Sequence, residues 1–269
     1  MIDVHTHLHP PKLFAAIRRW FAERSPWVLT HPTEPREVAR VLQEHGVEQF
    51  AFCSYAHKPG IARDLNDWLC ETARDLGKAA VPLATVHVDD ADPASDLREA
   101  FGAGCAGLKI HEDVQRFGID DPRLADVLDA VAEHEGFVLV HVGHIPWSSE
   151  TNAGPARVAQ VLEQHPALRI VVAHFGVPDY AWYLELAARE PRLFLDTTMA
   201  FAPESPMHMA IARADVERAP AQIVFGTDYP NIPYPYDGDL RGLRRRGLDA
   251  ATLRAITSEN ARRLTPAFR

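Results

Sequence analysis

"IDVHTHLHP", residues 2–10, places three histidines within five positions directly after an apolar start. His5 and His7 are spaced i, i+2, and in an extended strand that spacing turns both side chains to one face. Reading the stretch as a strand decides the rest, because similar runs recur along the chain. Apolar segments rich in β-branched residues fall at 2–7, 47–55, 80–88, 106–111, 136–143, 169–176, 192–198 and 222–230. Between them lie stretches with apolar residues at helical spacing, such as "PREVARVLQEHG" (35–46), "DPRLADVLDAVAEHEG" (121–136) and "GPARVAQVLEQHP" (154–166). Asp121 and Pro122 read as an N-cap and first-turn pair, and Gly46 and Gly136 stand at C-cap positions.

Several of the strands are almost continuously apolar, the pattern of a parallel sheet covered on both faces. Eight strand–helix units in 269 residues predict an α/β fold, a (β/α)₈ TIM-like barrel forming one domain over residues 1–269, with a doubly wound open sheet as the alternative. Two segments exceed an ordinary connection. One is residues 8–34, with Trp20, Phe21 and Trp27 among prolines; the other is "YPNIPYPYDG" at 229–238. Both follow strands, so in a barrel they overhang the catalytic face, either as substrate-covering loops or as packed decoration. "GAGCAG" (102–107) has the G-x-G-x-x-G spacing, but it follows a helix and opens a strand, so it reads as a turn.

The composition, 46% hydrophobic and 24% charged, is that of an ordinary globular protein. A formal charge of −9 disfavours nucleic acid or an anionic membrane surface as a partner and leaves a small molecule as the expected one. The basic run at 241–247 reads as a solvated helix face. No stretch has the apolar length of a membrane span, and the start lacks a charged region followed by an apolar one, which predicts a cytoplasmic protein. Cys53, Cys70 and Cys105 form no CxxC pair and read as buried bystanders. A homodimer is the default expectation for assembly.

The chemistry lies in where polar residues fall within the strands. His5 and His7 close the first run, Lys109 and His111 the fourth, His141 the fifth, His174 the sixth and Asp228 the eighth. In a parallel barrel those carboxyl ends meet on one face around the axis. Four neutral imidazoles and a carboxylate form a nitrogen and oxygen set suited to Zn²⁺, with other divalent metals also able to bind. Singly, each residue also fits an ordinary hydrogen-bonded role; together they point to a metal site of His5, His7, His141, His174 and Asp228. His9, His111 and His144 read as supporting or structural.

"DVHTHLHP", "GLKIH", "LVHVG", "VAHFG" and "VFGTDYP", with "SENARRL" near the end, resemble the amidohydrolase superfamily in its amidohydrolase-related, decarboxylase-like branch. The resemblance covers essentially the whole chain and implies a distorted (β/α)₈ barrel. By it, His5, His7, His141 and Asp228 match the metal ligands, and His174 matches a residue that either binds metal or acts beside it. Lys109 stands where some members carry a carbamylated lysine bridging two metals. It could equally contact a substrate carboxylate or neutralise Asp228, and the one-metal reading is favoured.

The expected activity is metal-dependent hydrolysis of a small cyclic or aromatic amide, ester or lactone. A divalent ion lowers the pKa of water from about 15.7 to about 7, Asp228 takes the proton, and His174 stabilises the oxyanion or carries a proton to the leaving group. The alternative is metal-dependent decarboxylation of a small aromatic or unsaturated acid, for which Arg18, Arg24 and Arg116 are candidate carboxylate partners. Trp147, Tyr229, Tyr234 and Tyr236 are expected to line the mouth or to pack the loops.

Overall fold

The computed structural model describes residues 1–142 and 154–268. Strand β1 (Ile2–His7) pairs in parallel with β2 (Gln49–Cys53), and β2 with β3 (Ala80–Leu83). A second sheet runs β4 (Leu108–His111), β5 (Val138–His141), β6 (Ile170–Val172), β7 (Leu193–Asp196) and β8 (Ile223–Val224), again all parallel. The two sheets meet edge to edge at both ends. Lys109 N donates to Ala84 O at 2.8 Å on one seam, and Val4 N to Phe225 O at 2.9 Å and His7 N to Tyr229 O at 2.8 Å on the other. Eight strands thus circulate around one axis as an α/β barrel with two irregular seams.

Helices alternate with the strands: α1 (Pro11–Arg24) and α2 (Pro35–Glu44) after β1, α3 (Ala62–Leu76), α4 (Pro93–Ala103), α5 (Glu112–Gln115), α6 (Ala125–Glu133), α7 (Pro155–Gln164) and α8 (Tyr180–Ala187). The chain ends with α9 (Arg213–Arg218), α10 (Gly238–Arg245) and α11 (Ala250–Arg254). No described helix is long and apolar enough to cross a membrane.

Strand alternation divides the core in two. Ile2, Val4, Ala51, Val81, Leu83, Phe137, Leu139, Val171, Phe194 and Val224 form one buried cluster inside the barrel, closed below by Leu264 and Phe268. Phe50, Phe52, Leu108, Ile110, Val138, Val140, Ile170 and Leu195 face the helices in a larger cluster. This period-2 division is what makes the strands read as continuous apolar runs.

Four expectations change. Residues 8–34 are no extended loop: α1 occupies Pro11–Arg24. Pro11 sits in its first turn, where a missing N–H costs nothing, so one of the prolines of this segment starts a helix. The strands are shorter than their apolar runs; β6 stops at Val172, and His174 and Phe175 follow in left-handed backbone at φ 56°. After α6 the left-handed residue is Glu135 (φ 54°), and Gly136 is there for space, since an added Cβ would lie 2.9 Å from Ala106 O. Cys53, buried as expected, lies 3.5 Å from His7 Nδ1 and is no bystander.

Candidate metal centre

The first strand delivers its histidines inward by an irregularity. Asp3 pairs with Phe50 and Thr6 with Phe52, three residues against two, so one extra residue is inserted in β1. A one-residue slip reverses the facing of everything beyond it. Below it Ile2 and Val4 point into the barrel; above it His5 and His7 do, with His7 opposite Cys53. Asp196, Asp228, Lys109, His111 and His141 continue the inward-facing series of their strands.

Three ligand atoms converge. His7 Nε2 lies 2.7 Å and His5 Nε2 3.4 Å from Asp228 Oδ1, and the two imidazole nitrogens are 3.2 Å apart. Among the described residues, His5, His7 and Asp228 are the set whose ligand atoms all lie within 4.8 Å of one another. Lys109 Nζ is 3.0 Å from His5 Nε2, and its side chain is fully buried. His174 Nε2 and His141 Nδ1 are 2.9 Å apart on the far side of the same pocket, with His111 stacked on His141 at 4.0 Å. The structure thus brings all the expected histidines, Lys109 and Asp228 to one place, with His141 and His174 outside the tight trio.

Neighbouring groups fix the orientation of the trio. Asp196 Oδ2 takes the Nδ1 side of His5 at 2.8 Å, and its Oδ1 accepts from His174 N at 2.8 Å and Thr198 N at 3.0 Å. Nδ1–H bound to a carboxylate leaves Nε2 as the lone-pair nitrogen, the arrangement that metal-binding histidines show. Asp228 sits in left-handed backbone (φ 63°), its N–H donated to His5 O at 2.8 Å. Gly226 makes room below: an added Cβ would stand 2.8 Å from Thr198 Oγ1 and 3.0 Å from His5 Cβ.

The electrostatics suit a cation. Burial pushes His5, His111, His141 and His174 below the ordinary imidazole value, which keeps the rings neutral and able to donate lone pairs. Burial opposes protonation of His7 as well, but Cys53 and Asp228 beside it carry it up to about 9, so an arriving divalent ion would have to displace that proton to take the lone pair. Burial alone would raise Asp228; His7, His5 and His174 hold it well below the usual carboxylate range. His141 Nε2 and His174 Nδ1 are buried with no hydrogen-bond partner. A nitrogen and oxygen donor set of this kind, with unsatisfied buried nitrogens beside it, fits a divalent metal.

The pocket is about 60 Å³ and is lined also by Phe21, Trp27, Tyr55, Met199, Met207 and Asn231. Residues 8–34 and 229–238 therefore do contribute to the mouth, through Phe21, Trp27 and Asn231. The tyrosines of the second segment do not. Tyr234 donates its hydroxyl to Asp239 at 3.0 Å, Tyr236 to Asp3 at 3.1 Å, and Tyr229 packs between His31 and Tyr236. All three are buried, and for Tyr234 and Tyr236 the carboxylates offer the phenols partners inside the protein. Trp147 and His144 lie outside the described residues. Of the arginines, Arg18 is bound to the carbonyls of Leu29 and His31. His9 bonds Ser54 at 2.9 Å in a supporting role. Sequence reasoning missed Asp196, although it ends the "LFLD" run of β7 just as Asp228 follows β8.

The amidohydrolase family's sequence profile matches residues 2–266. A search of curated proteins finds no match. Among solved structures, an uncharacterised TIM-barrel protein from Bordetella bronchiseptica superposes with a TM-score of 0.76 at 18% identity, over 98% of both chains. The 5-carboxyvanillate decarboxylase of Sphingomonas paucimobilis gives 0.70 at 15% identity, over 99% of this chain and 98% of that one. A probable 2-pyrone-4,6-dicarboxylic acid hydrolase from Acinetobacter baumannii gives 0.65 at 15% identity, over 98% of both. At such identities the likeness establishes the barrel, and the profile match over nearly the whole length establishes the lineage: the chain belongs to the amidohydrolase family.

Proposed function

We propose that the chain is a zinc-dependent hydrolase that opens a small cyclic or aromatic amide, ester or lactone. The observation that carries the reading is the convergence of His5 Nε2, His7 Nε2 and an ionised Asp228 at a barrel mouth. His141 adds a donor through its unpartnered buried Nε2, and the unpartnered Nδ1 of His174 is left free to act beside the metal. Zinc held there supplies Lewis acidity, polarising the carbonyl and acidifying water. Asp228, kept anionic by the imidazoles around it, accepts the proton from the attacking water. That proton is the one the leaving group receives: Asp228 hands it on through neutral His174 beside it, which takes it and releases it again, while Asp196 keeps both His5 and the His174 backbone in place. Lys109 remains a free amine beside His5 and orients the substrate's polar end. Three free cysteines fit a reducing compartment, the cytoplasm, and the assembly we favour is a homodimer.

The second reading is decarboxylation, supported by the buried Lys109 facing the pocket and by the names of several structural neighbours. There Lys109 steadies the carboxylate, the C–C bond breaks with its electron pair left on the substrate carbon, and His174 protonates that carbon. A panel of aryl lactones, amides and hydroxybenzoates, run with zinc-loaded protein, separates the two. Hydrolysis consumes one water per turnover and releases no CO₂; CO₂ evolution with no water consumed overturns the hydrolase. Elemental analysis tests Lys109: about one metal per chain leaves it free, and about two would make it a carbamylated bridge.

A further inference from the structure

The metal pocket, at about 60 Å³, holds a few waters and not a substrate. Beside it lies a much larger chamber of about 800 Å³, within the usual range for a small-molecule site. Phe21, Tyr55 and His111 line both, so these three side chains are the partition between them. Tyr55 stands edge-on to His111 at 5.1 Å and to His7 at 5.9 Å, which puts the partition directly against the metal trio.

The chamber has an apolar wall and a cationic rim. Trp20 and Phe21 of α1 and Phe117 after α5 form flat apolar surface, while Arg24, Lys58 and Arg116 come from three different segments. Among the described residues none of these three cations makes an ion pair or a side-chain hydrogen bond. Of the two carboxylates on the chamber, Asp89 is held by Arg123 at 2.5 Å, and Asp113 is the other. His57 and His87 add no negative charge. In a protein of net charge −9, a cavity lined by Arg24, Lys58, Arg116 and Arg123 against the two carboxylates Asp89 and Asp113 is a local reversal of the field, and such a reversal concentrates anions.

We propose that this chamber binds the remote, anionic end of an extended substrate, a carboxylate or phosphate carried on an apolar stem. The stem lies on Trp20, Phe21 and Phe117, the anion meets Lys58, Arg116 and Arg24, and the reacting group passes Tyr55 to the metal trio. The inference rests on the metal-centred reaction proposed above, and it makes the substrate bipolar: one end for the metal, the other for the rim.

The test uses zinc-loaded protein and three probes, measured by calorimetric titration. Acetohydroxamate reports the metal end alone; octanoate and suberate have equal chain length and differ by one terminal carboxylate. Suberate is expected to bind about tenfold tighter than octanoate, the preference shrinking as salt is raised. The double variant Lys58→Gln, Arg116→Asn should abolish that preference while acetohydroxamate affinity stays. Asn suits the left-handed backbone of Arg116 (φ 62°), and both positions are exposed, so the fold is retained. Replacing suberate by 7-phosphonoheptanoate, which has the same six methylenes, tells which anion the rim prefers. Equal affinity for suberate and octanoate, or a preference that survives the double variant, overturns the chamber proposal alone. Failure of acetohydroxamate to bind overturns the metal reading and the chamber with it.

Discussion

The two halves of the metal pocket are built differently. On the β7–β8–β1 side the groups that set the trio are spoken for: His5 Nδ1 by Asp196, Asp228 N by His5 O, and Asp3 by Thr227 at 2.7 Å, Tyr236 and His5 N. On the β4–β6 side His111 Nδ1, His141 Nε2 and His174 Nδ1 are buried with no partner. A buried polar atom left unsatisfied costs about 1–3 kcal/mol, so the second half is the one with valences to offer. One side is prebuilt geometry, and the other is receptive to metal and substrate.

Three substitutions sharpen that contrast. Asp228→Asn keeps the shape of the prebuilt side but removes its charge, and it should lower kcat by about a thousandfold or more, since base and ligand are lost together. Steady-state kinetics at saturating zinc checks this, and near-normal turnover would remove Asp228 from the chemistry. Asp196→Ala leaves the ligands in place and frees the His5 ring; metal affinity should fall by about 10–100-fold, read by chelator competition. An unchanged affinity would mean that the strands alone orient His5. Tyr234→Phe should do least: KM unchanged and a stability loss of about 1 kcal/mol in denaturant unfolding, because its hydroxyl serves Asp239 and not the pocket. A raised KM would put Tyr234 back at the mouth.

Much of the site was legible because barrel geometry converts position in a strand into position in space. A polar residue at the end of an apolar run must lie at the mouth, and that logic carried His5, His7, Lys109, His141, His174 and Asp228 to one pocket. Applied to β7 it would have found Asp196. What could not be read were features decided by tertiary contact. The extra residue in β1 between Asp3 and Thr6 leaves no signature in "IDVHTH", yet it determines which way the histidines face. The helix α1 was hidden behind Pro10 and Pro11, with only Phe14 fully buried to mark its inner face. The tyrosines of 229–238 looked like a pocket lining because nothing local shows that Asp3 and Asp239 wait for their hydroxyls inside.

The packed barrel interior has a consequence for traffic. Beneath the histidines the described residues leave no passage: Val4, Leu139, Val171 and Phe194 fill the axis, and Phe268 stops its lower end. Arrival and departure therefore share the mouth end of the barrel, which Tyr55 borders. A product that keeps the recognised end of its parent leaves slowly along the route the next molecule must take, so it should act as a competitive inhibitor of its own formation.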